Sequence, residues 1–143
     1  PDGELAASTL EYTARLMPEG LKYALGVGSP EAVIRCVDMG YNLFDCVLPT
    51  RDARHQRLYV WEPKAQDPLD HAFVYIQDNR YKRDNRPVSE VCDCPTCTHY
   101  TRSYLHHLFQ IQDCLAQRLA TMHNLRFYTQ LMARLRGDQG AEG

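Results

Sequence analysis

The 143-residue chain lacks any apolar run approaching the ~20 residues that span a bilayer. Its opening, PDGELAASTL, has neither the basic stretch nor the hydrophobic core of a secretory signal. It also lacks a charge excess: 16 Lys and Arg stand against 18 Asp and Glu, for a net charge of -2. That balance excludes a global attraction to nucleic acid, so RNA or DNA binding would have to use a local basic patch. Internal repeats, low-complexity segments and a disordered composition are absent too. What remains is the balance of an ordinary globular domain, 44% hydrophobic and 24% charged. A soluble, non-secreted, cytoplasmic protein is expected. The six cysteines fit that setting: three crowd into EVCDCPTCTHY, and Cys36, Cys46 and Cys114 stand singly in apolar contexts. The distribution favours a metal site over a disulfide framework.

Three parts follow one another along the chain. Apolar residues from Leu5 to about Met17 recur at helical spacing until PEG at Pro18–Gly20 breaks the pattern. LKYALGVG then reads as a short strand ending in glycines. In GSPEAVIRCVDMG, Ser29 is a suitable N-cap, Pro30 suits the first helical position and Gly40 the stop. YNLFDCVLP reads as a second strand ended by Pro49. Strand, helix and strand at this spacing predict a βαβ unit with parallel strands. Alternation puts Leu43, Asp45 and Val47 on one face of the second strand and Phe44, Cys46 and Leu48 on the other. The middle, Thr50 to about Pro87, is predicted to hold antiparallel strands in RLYVWEP and HAFVYIQDNRYKRD. From Thr101 to Arg136 there is neither Gly nor Pro, and leucines at three- and four-residue steps predict helix, followed by a frayed tail.

The CxCxxC of Cys92, Cys94 and Cys97 supplies three thiolates, and a tetrahedral zinc shell needs a fourth ligand. His99 is too near Cys97 to share one ion. His106, His107 and His123 remain open. His123 lies 26 residues past Cys97, and a straight helix would carry it about 39 Å away. It can serve only if the helical segment folds back, most readily near Gln110–Cys114. A closed four-ligand shell leaves no position for water, so such an ion folds the segment and does no chemistry. The bland reading, core thiols with no ion, fits a polar loop poorly.

The segments GVGSPEAVIRCVDMGYNLFDCVLPTRDARH and CDCPTCTHYTRSYLHHLF…MHNLRFYTQLMARLR together resemble the C-terminal part of tRNA-guanine transglycosylases, the queuine tRNA-ribosyltransferases. The resemblance runs from about Tyr23 to Arg136. It implies one structural zinc ion held by Cys92, Cys94, Cys97 and His123. It also implies an α/β fold: the last two parallel strands and helices of a (β/α)8 TIM barrel (residues 1–50), with an inserted α+β zinc subdomain formed by strands and the CxCxxC loop (51–100) and by helices (101–143). Catalytic groups of such barrels sit at the C-terminal strand ends. Asp45, which by itself would read as a hydrogen-bonded structural aspartate, resembles the family's nucleophile, which attacks C1′ of the wobble guanosine in a tRNA anticodon. Tyr23, Leu25 and Gly26 match the stretch beside the base pocket, with Leu25 in place of the usual methionine. Gly26 and Gly28 are expected to let backbone approach the base. Arg51 and Arg54 match basic residues that contact the anticodon loop, and Arg57, Arg80, Lys82, Arg83 and Arg86 are candidates to extend that patch.

The resemblance implies as partners tRNA and queuine or another 7-deazaguanine base. The family's acid/base aspartate and base-reading residues have no counterpart here, and the chain starts without an initiator methionine. A piece of a longer enzyme, or a subunit that pairs with another chain or copy and is inactive alone, is the expectation. A zinc-stapled RNA-binding module without catalysis and a dimerisation subunit are the competing readings.

Overall fold

The computed structural model describes residues 6–62, 67 and 69–137, and it divides into two units at Leu48/Pro49. The first unit opens with helix α1, Ala7–Leu16. It is followed by strand β1 (Tyr23–Ala24), helix α2 (Pro30–Asp38) and strand β2 (Leu43–Phe44). The two strands pair in parallel, Tyr23 with Leu43 and Ala24 with Phe44, so the βαβ expectation holds. Both are shorter than the apolar runs around them. α2 is built as its punctuation demands: Ser29 Oγ accepts the Ala32 N–H at 3.2 Å, Pro30 occupies the first turn, and Gly40 takes a positive φ of 93° just past the end. Ala14 of α1, Ala24, Cys36 and Tyr41 form a small core, and the Tyr41 hydroxyl donates to Leu10 O at 3.1 Å. Lys22 Nζ donates to Ala14 O at 2.8 Å, placing a cation at the carbonyl end of α1.

The second unit corrects one expectation. Pro49 does not simply end a strand; it lies in the first turn of helix α3, Leu48–Arg54. A proline in a first turn lacks only an N–H that the helix would leave unbonded anyway. Arg51 and Arg54 are therefore helical residues. Strands β3 (Arg57–Trp61) and β4 (His71–Tyr75) form the expected antiparallel pair, with Tyr59 opposite Phe73. A 3-10 turn follows at Asn79–Tyr81. Three helices complete the unit: α4 (Pro95–His99), α5 (Arg102–Gln110) and α6 (Cys114–Leu135).

Helices α5 and α6 are separated where the fold-back was expected. Gln112 adopts φ 57°, Asp113 caps α6 through the Leu115 N–H at 2.8 Å, and Asp113 N–H returns to Leu108 O at 3.0 Å. Val74, Ile76, Val88, Leu105, Leu108, Leu119 and Ala120 share one buried cluster with the three clustered cysteines. Among the described residues no helix is long and apolar enough to cross a membrane. The helix start at Leu5, Pro63 of the first strand segment and the tail from Asp138 lie outside the described residues.

Candidate metal centre and nucleophile site

Cys92, Cys94, Cys97 and His123 converge. Their ligand atoms lie within 4.8 Å of one another, and all four residues are buried. Cys94 precedes α4, whose first turn begins at Pro95, and brings its thiol round to meet Cys97 one turn on. His123 comes from the middle of α6, carried back by the bend at Gln112. Its Nδ1 lies 3.3 Å from Cys97 Sγ and 3.6 Å from Cys94 Sγ. Tetrahedral zinc with its usual Zn–S and Zn–N bonds would separate a sulfur from a nitrogen by about 3.6 Å, so the donor set fits the ion.

The histidine tautomer follows from its other side. Nε2 lies 2.7 Å from Tyr59 O, and a carbonyl can only accept, so Nε2 carries the proton and the Nδ1 lone pair faces the sulfurs. Burial opposes a charged His123, but hydrogen bonds and charge from Cys92 and Cys94 outweigh it and hold the imidazole at a pKa of about 9. Cys94 is held below the ordinary thiol range, chiefly by hydrogen bonds from Cys92 and Cys97. A cluster that so favours positive charge at its centre is suited to a divalent cation in place of the proton. His106, the competing ligand by spacing, instead binds Ile76 O through Nδ1 at 2.8 Å.

Several groups around this centre carry no local sequence signal. Thr96, fully buried between two ligands, donates to Leu119 O at 2.7 Å and pins α4 to α6. Arg126 grips Asp93 with two bonds of 2.6 Å. Asn124, next to His123, donates from Nδ2 to Pro49 O and Arg57 O, each at 3.0 Å, and its Oδ1 accepts the Tyr59 N–H at 3.2 Å.

In the first unit, Asp45 follows β2 directly, and its Oδ1 accepts the Gly26 N–H at 2.8 Å. That backbone bond, then one from the Tyr23 hydroxyl, lowers the Asp45 pKa below the ordinary carboxylate value, and Asp45 in turn raises that of Tyr23. The expected alternation holds: Leu43, Asp45 and Val47 are exposed, whereas Phe44, Cys46 and Leu48 are partly buried. Asp45 is thus a solvent-facing carboxylate, not one desolvated in an apolar setting. A hollow of about 410 Å³ in this unit, lined by Glu11, Arg15, Lys22 and Asp38 among others, does not include it. Tyr23 and Leu25 share its open exposure, at 51% and 76%.

The two glycines nearby differ in their reasons. Gly26 has φ 72° and open space where a Cβ would stand, so its backbone conformation is what requires glycine. At Gly28 a Cβ would meet Cys46 Cβ at 2.2 Å and Sγ at 2.6 Å. Glycine is required there by internal packing.

Arg51 and Arg54 are exposed on α3, while Asp52 between them is buried. Asp52 receives Arg57 Nη2 at 2.5 Å, the Tyr59 hydroxyl and, at 3.6 Å, Arg51 Nε. Burial raises the Asp52 pKa, but the Tyr59 and Arg57 bonds outweigh it and leave it low. Arg57 is therefore committed to an internal ion pair and does not extend a free basic surface. Arg80 and Arg86 pair with Asp78 and Asp84 at 3.2 and 2.8 Å. Lys82 and Arg83 are exposed.

The family model described as queuine tRNA-ribosyltransferase matches residues 2–138. Relatives carrying that same name include one from Mannheimia succiniciproducens, 43% identical over 128 residues. Others come from Nitrosomonas eutropha, 41% identical over 128 residues, and Helicobacter pylori, 40% identical over 129. The alignments cover 89–90% of this chain but 31–33% of those proteins, so the chain spans about a third of their length. A match over nearly every residue, together with the buried Cys3His cluster, carries the conclusion: this chain belongs to the queuine tRNA-ribosyltransferase family.

Proposed function

We propose that the chain is the C-terminal part of a tRNA-guanine transglycosylase, comprising the end of a (β/α)8 barrel and its zinc subdomain. It would exchange guanine at the anticodon wobble position for queuine or another 7-deazaguanine through a ribosyl-aspartate intermediate. The observation that carries this reading is Asp45: a carboxylate at the C-terminal end of a parallel strand, kept ionised by Gly26 N–H and Tyr23 and exposed on the strand face it shares with Leu43 and Val47. An ionised carboxylate at that rim is the nucleophile such chemistry needs.

In the first step an Asp45 oxygen bonds to C1′ while the glycosidic C1′–N9 bond breaks and its electron pair leaves with guanine. The proton guanine then takes must come from a group in the rest of the protein. In the second step N9 of the incoming base, having given up its proton, bonds to C1′ and the aspartyl ester breaks, returning the carboxylate. Two inversions leave the configuration retained, the logic of a double displacement through an oxocarbenium-like transition state. Tyr23, Leu25 and Gly26 would border the base, and Gly26 and Tyr23 would also hold the carboxylate in place. Arg51 and Arg54, exposed on α3, would grip the anticodon loop, a task suited to the planar guanidinium fork. Cys92, Cys94, Cys97 and His123 would hold Zn2+, which supplies structural order and leaves no open coordination position. An apolar strand face left exposed supports a further segment of the same enzyme, or another subunit, as its cover.

The test is adduct capture. With the remainder of the enzyme supplied, denaturing gels should show an anticodon stem-loop covalently joined to this chain in the presence of a guanine-site inhibitor. Asp45→Asn should abolish the band. Arg51→Ala with Arg54→Ala should weaken stem-loop binding and flatten its salt dependence by about two phosphate contacts. Persistence of the adduct in Asp45→Asn refutes the nucleophile assignment. Stem-loop binding without any adduct in the unaltered protein would point to a binding module instead.

A further inference from the structure

We propose that Asn124 is a positioning residue that makes the register of α3, and so the aim of Arg51 and Arg54, depend on the metal centre. β3 pairs with β4 along one margin, and its other margin carries no strand among the described residues. Ile76 N–H bonds Gln56 O at 3.0 Å, so in this antiparallel register the even-numbered residues of β3 face β4 and the backbone groups of Arg57 and Tyr59 point the other way. No third strand meets them there among the described residues. Two consecutive residues of α6 take its place. His123 Nε2 donates to Tyr59 O at 2.7 Å and Asn124 Oδ1 accepts Tyr59 N–H at 3.2 Å, so one residue's backbone is held at both its polar groups.

Asn124 then reaches further than its neighbour. Its amide donates to Arg57 O and to Pro49 O, both at 3.0 Å, so one planar head joins α6, β3 and the first turn of α3. The side chain is fully buried and all its bonds run to backbone. Only an amide places two donors and an acceptor on one rigid plane. Asp52 completes the arrangement, taking Arg57 and the Tyr59 hydroxyl while lying between the two exposed arginines. A path of direct bonds thus runs from Cys94 and Cys97 through His123 to Tyr59, and through Asn124 and Asp52 to α3. Residues on one such network couple measurably, which separates this role from plain packing. The consequence for RNA rests on the reading of Arg51 and Arg54 given above; the coupling of α3 to the metal centre does not.

The experiment is hydrogen exchange on the full chain, with and without a zinc chelator, for the unaltered protein and for Asn124→Asp, which keeps the acceptor for Tyr59 and loses both donors. The α3 amides to follow include His55, bonded to Arg51 O, and Gln56, bonded to Ala53 O. Loss of two buried bonds should speed their exchange at least tenfold while zinc content and protection of β4 are kept. Because chelation opens the whole second unit, the coupling is read in the other direction: Asn124→Asp should give up its zinc to a competing chelator at least tenfold more readily than the unaltered protein. If Asn124→Asp does not fold, Asn124→Ser is read in the same way.

With zinc bound, unchanged α3 exchange, or loss of β4 protection parallel to that of α3 in both variants, overturns the assignment, as does unchanged resistance to the chelator. Stem-loop affinity is measured alongside and should fall about tenfold in the variant. If the unaltered protein binds no stem-loop, the RNA reading fails and the exchange data alone judge the coupling.

Discussion

Removing the metal should unfold the second unit and spare the first. The ligands are not appended to that unit's core but belong to it: Cys92, Cys94 and Cys97 share a buried cluster with Leu105, Leu108, Leu119 and Ala120. Structural Cys/His zinc sites contribute roughly 10–16 kcal/mol of apparent binding free energy at neutral pH. Domains of this size have net stabilities of roughly 5–15 kcal/mol. Even the low end of the first range takes most or all of the second, so in excess chelator the 49–137 unit should populate open states at equilibrium. The core of the first unit, Ala14, Ala24, Cys36 and Tyr41, contains no ligand. Exchange followed by mass spectrometry on peptides from α6 and α2 resolves the two. Peptides around 119–127 should lose protection on chelation and regain it on adding Zn2+, while those of α2 should change little. Protection of α6 that survives a strong chelator would refute the reasoning.

Two further outcomes are expected. Gly28→Ala would drive a methyl to 2.2 Å from Cys46 Cβ, forcing β2 or the loop before α2 to shift; the expected loss is about 1–3 kcal/mol in denaturant melts, with zinc content unchanged. On acidification the second unit should weaken, because Asp52, Asp84 and Asp93 all have pKa values lowered by their arginine, tyrosine or backbone partners. The sign follows from linkage: each is lower folded than unfolded, so its contribution is complete above the unfolded value of about 3.9 and fades as pH falls below it toward the folded one. A melting temperature of the second unit that is flat between pH 5 and pH 3 would contradict those pairings.

Local punctuation made much of the fold legible. Ser29, Pro30 and Gly40 mark α2 because caps and stops act within a few residues, and CxCxxC marks a metal site because three thiols in one loop have few other uses. The bend before α6 was reachable only by asking what His123 would require, since Gln112 enters the left-handed region without glycine to announce it. α3 was hidden because Pro49 reads as a stop and only tertiary contacts reveal it as a first-turn residue. Strand lengths were overestimated because pairing partners, not apolar runs, set them. The contacts of Asn124 join positions 65 to 75 residues apart, a separation no window on the sequence can see.

The helix laid along the margin of β3 also bears on how this chain fails. An unpaired strand edge is a template on which other molecules add, and natural proteins blunt it with charges, bulges or a cover. Here the cover is removable, for its grip on Tyr59 is shared by a metal ligand. Zinc loss would therefore bare LYVW in a segment rich in β-forming residues, so starvation for the ion should appear first as precipitation.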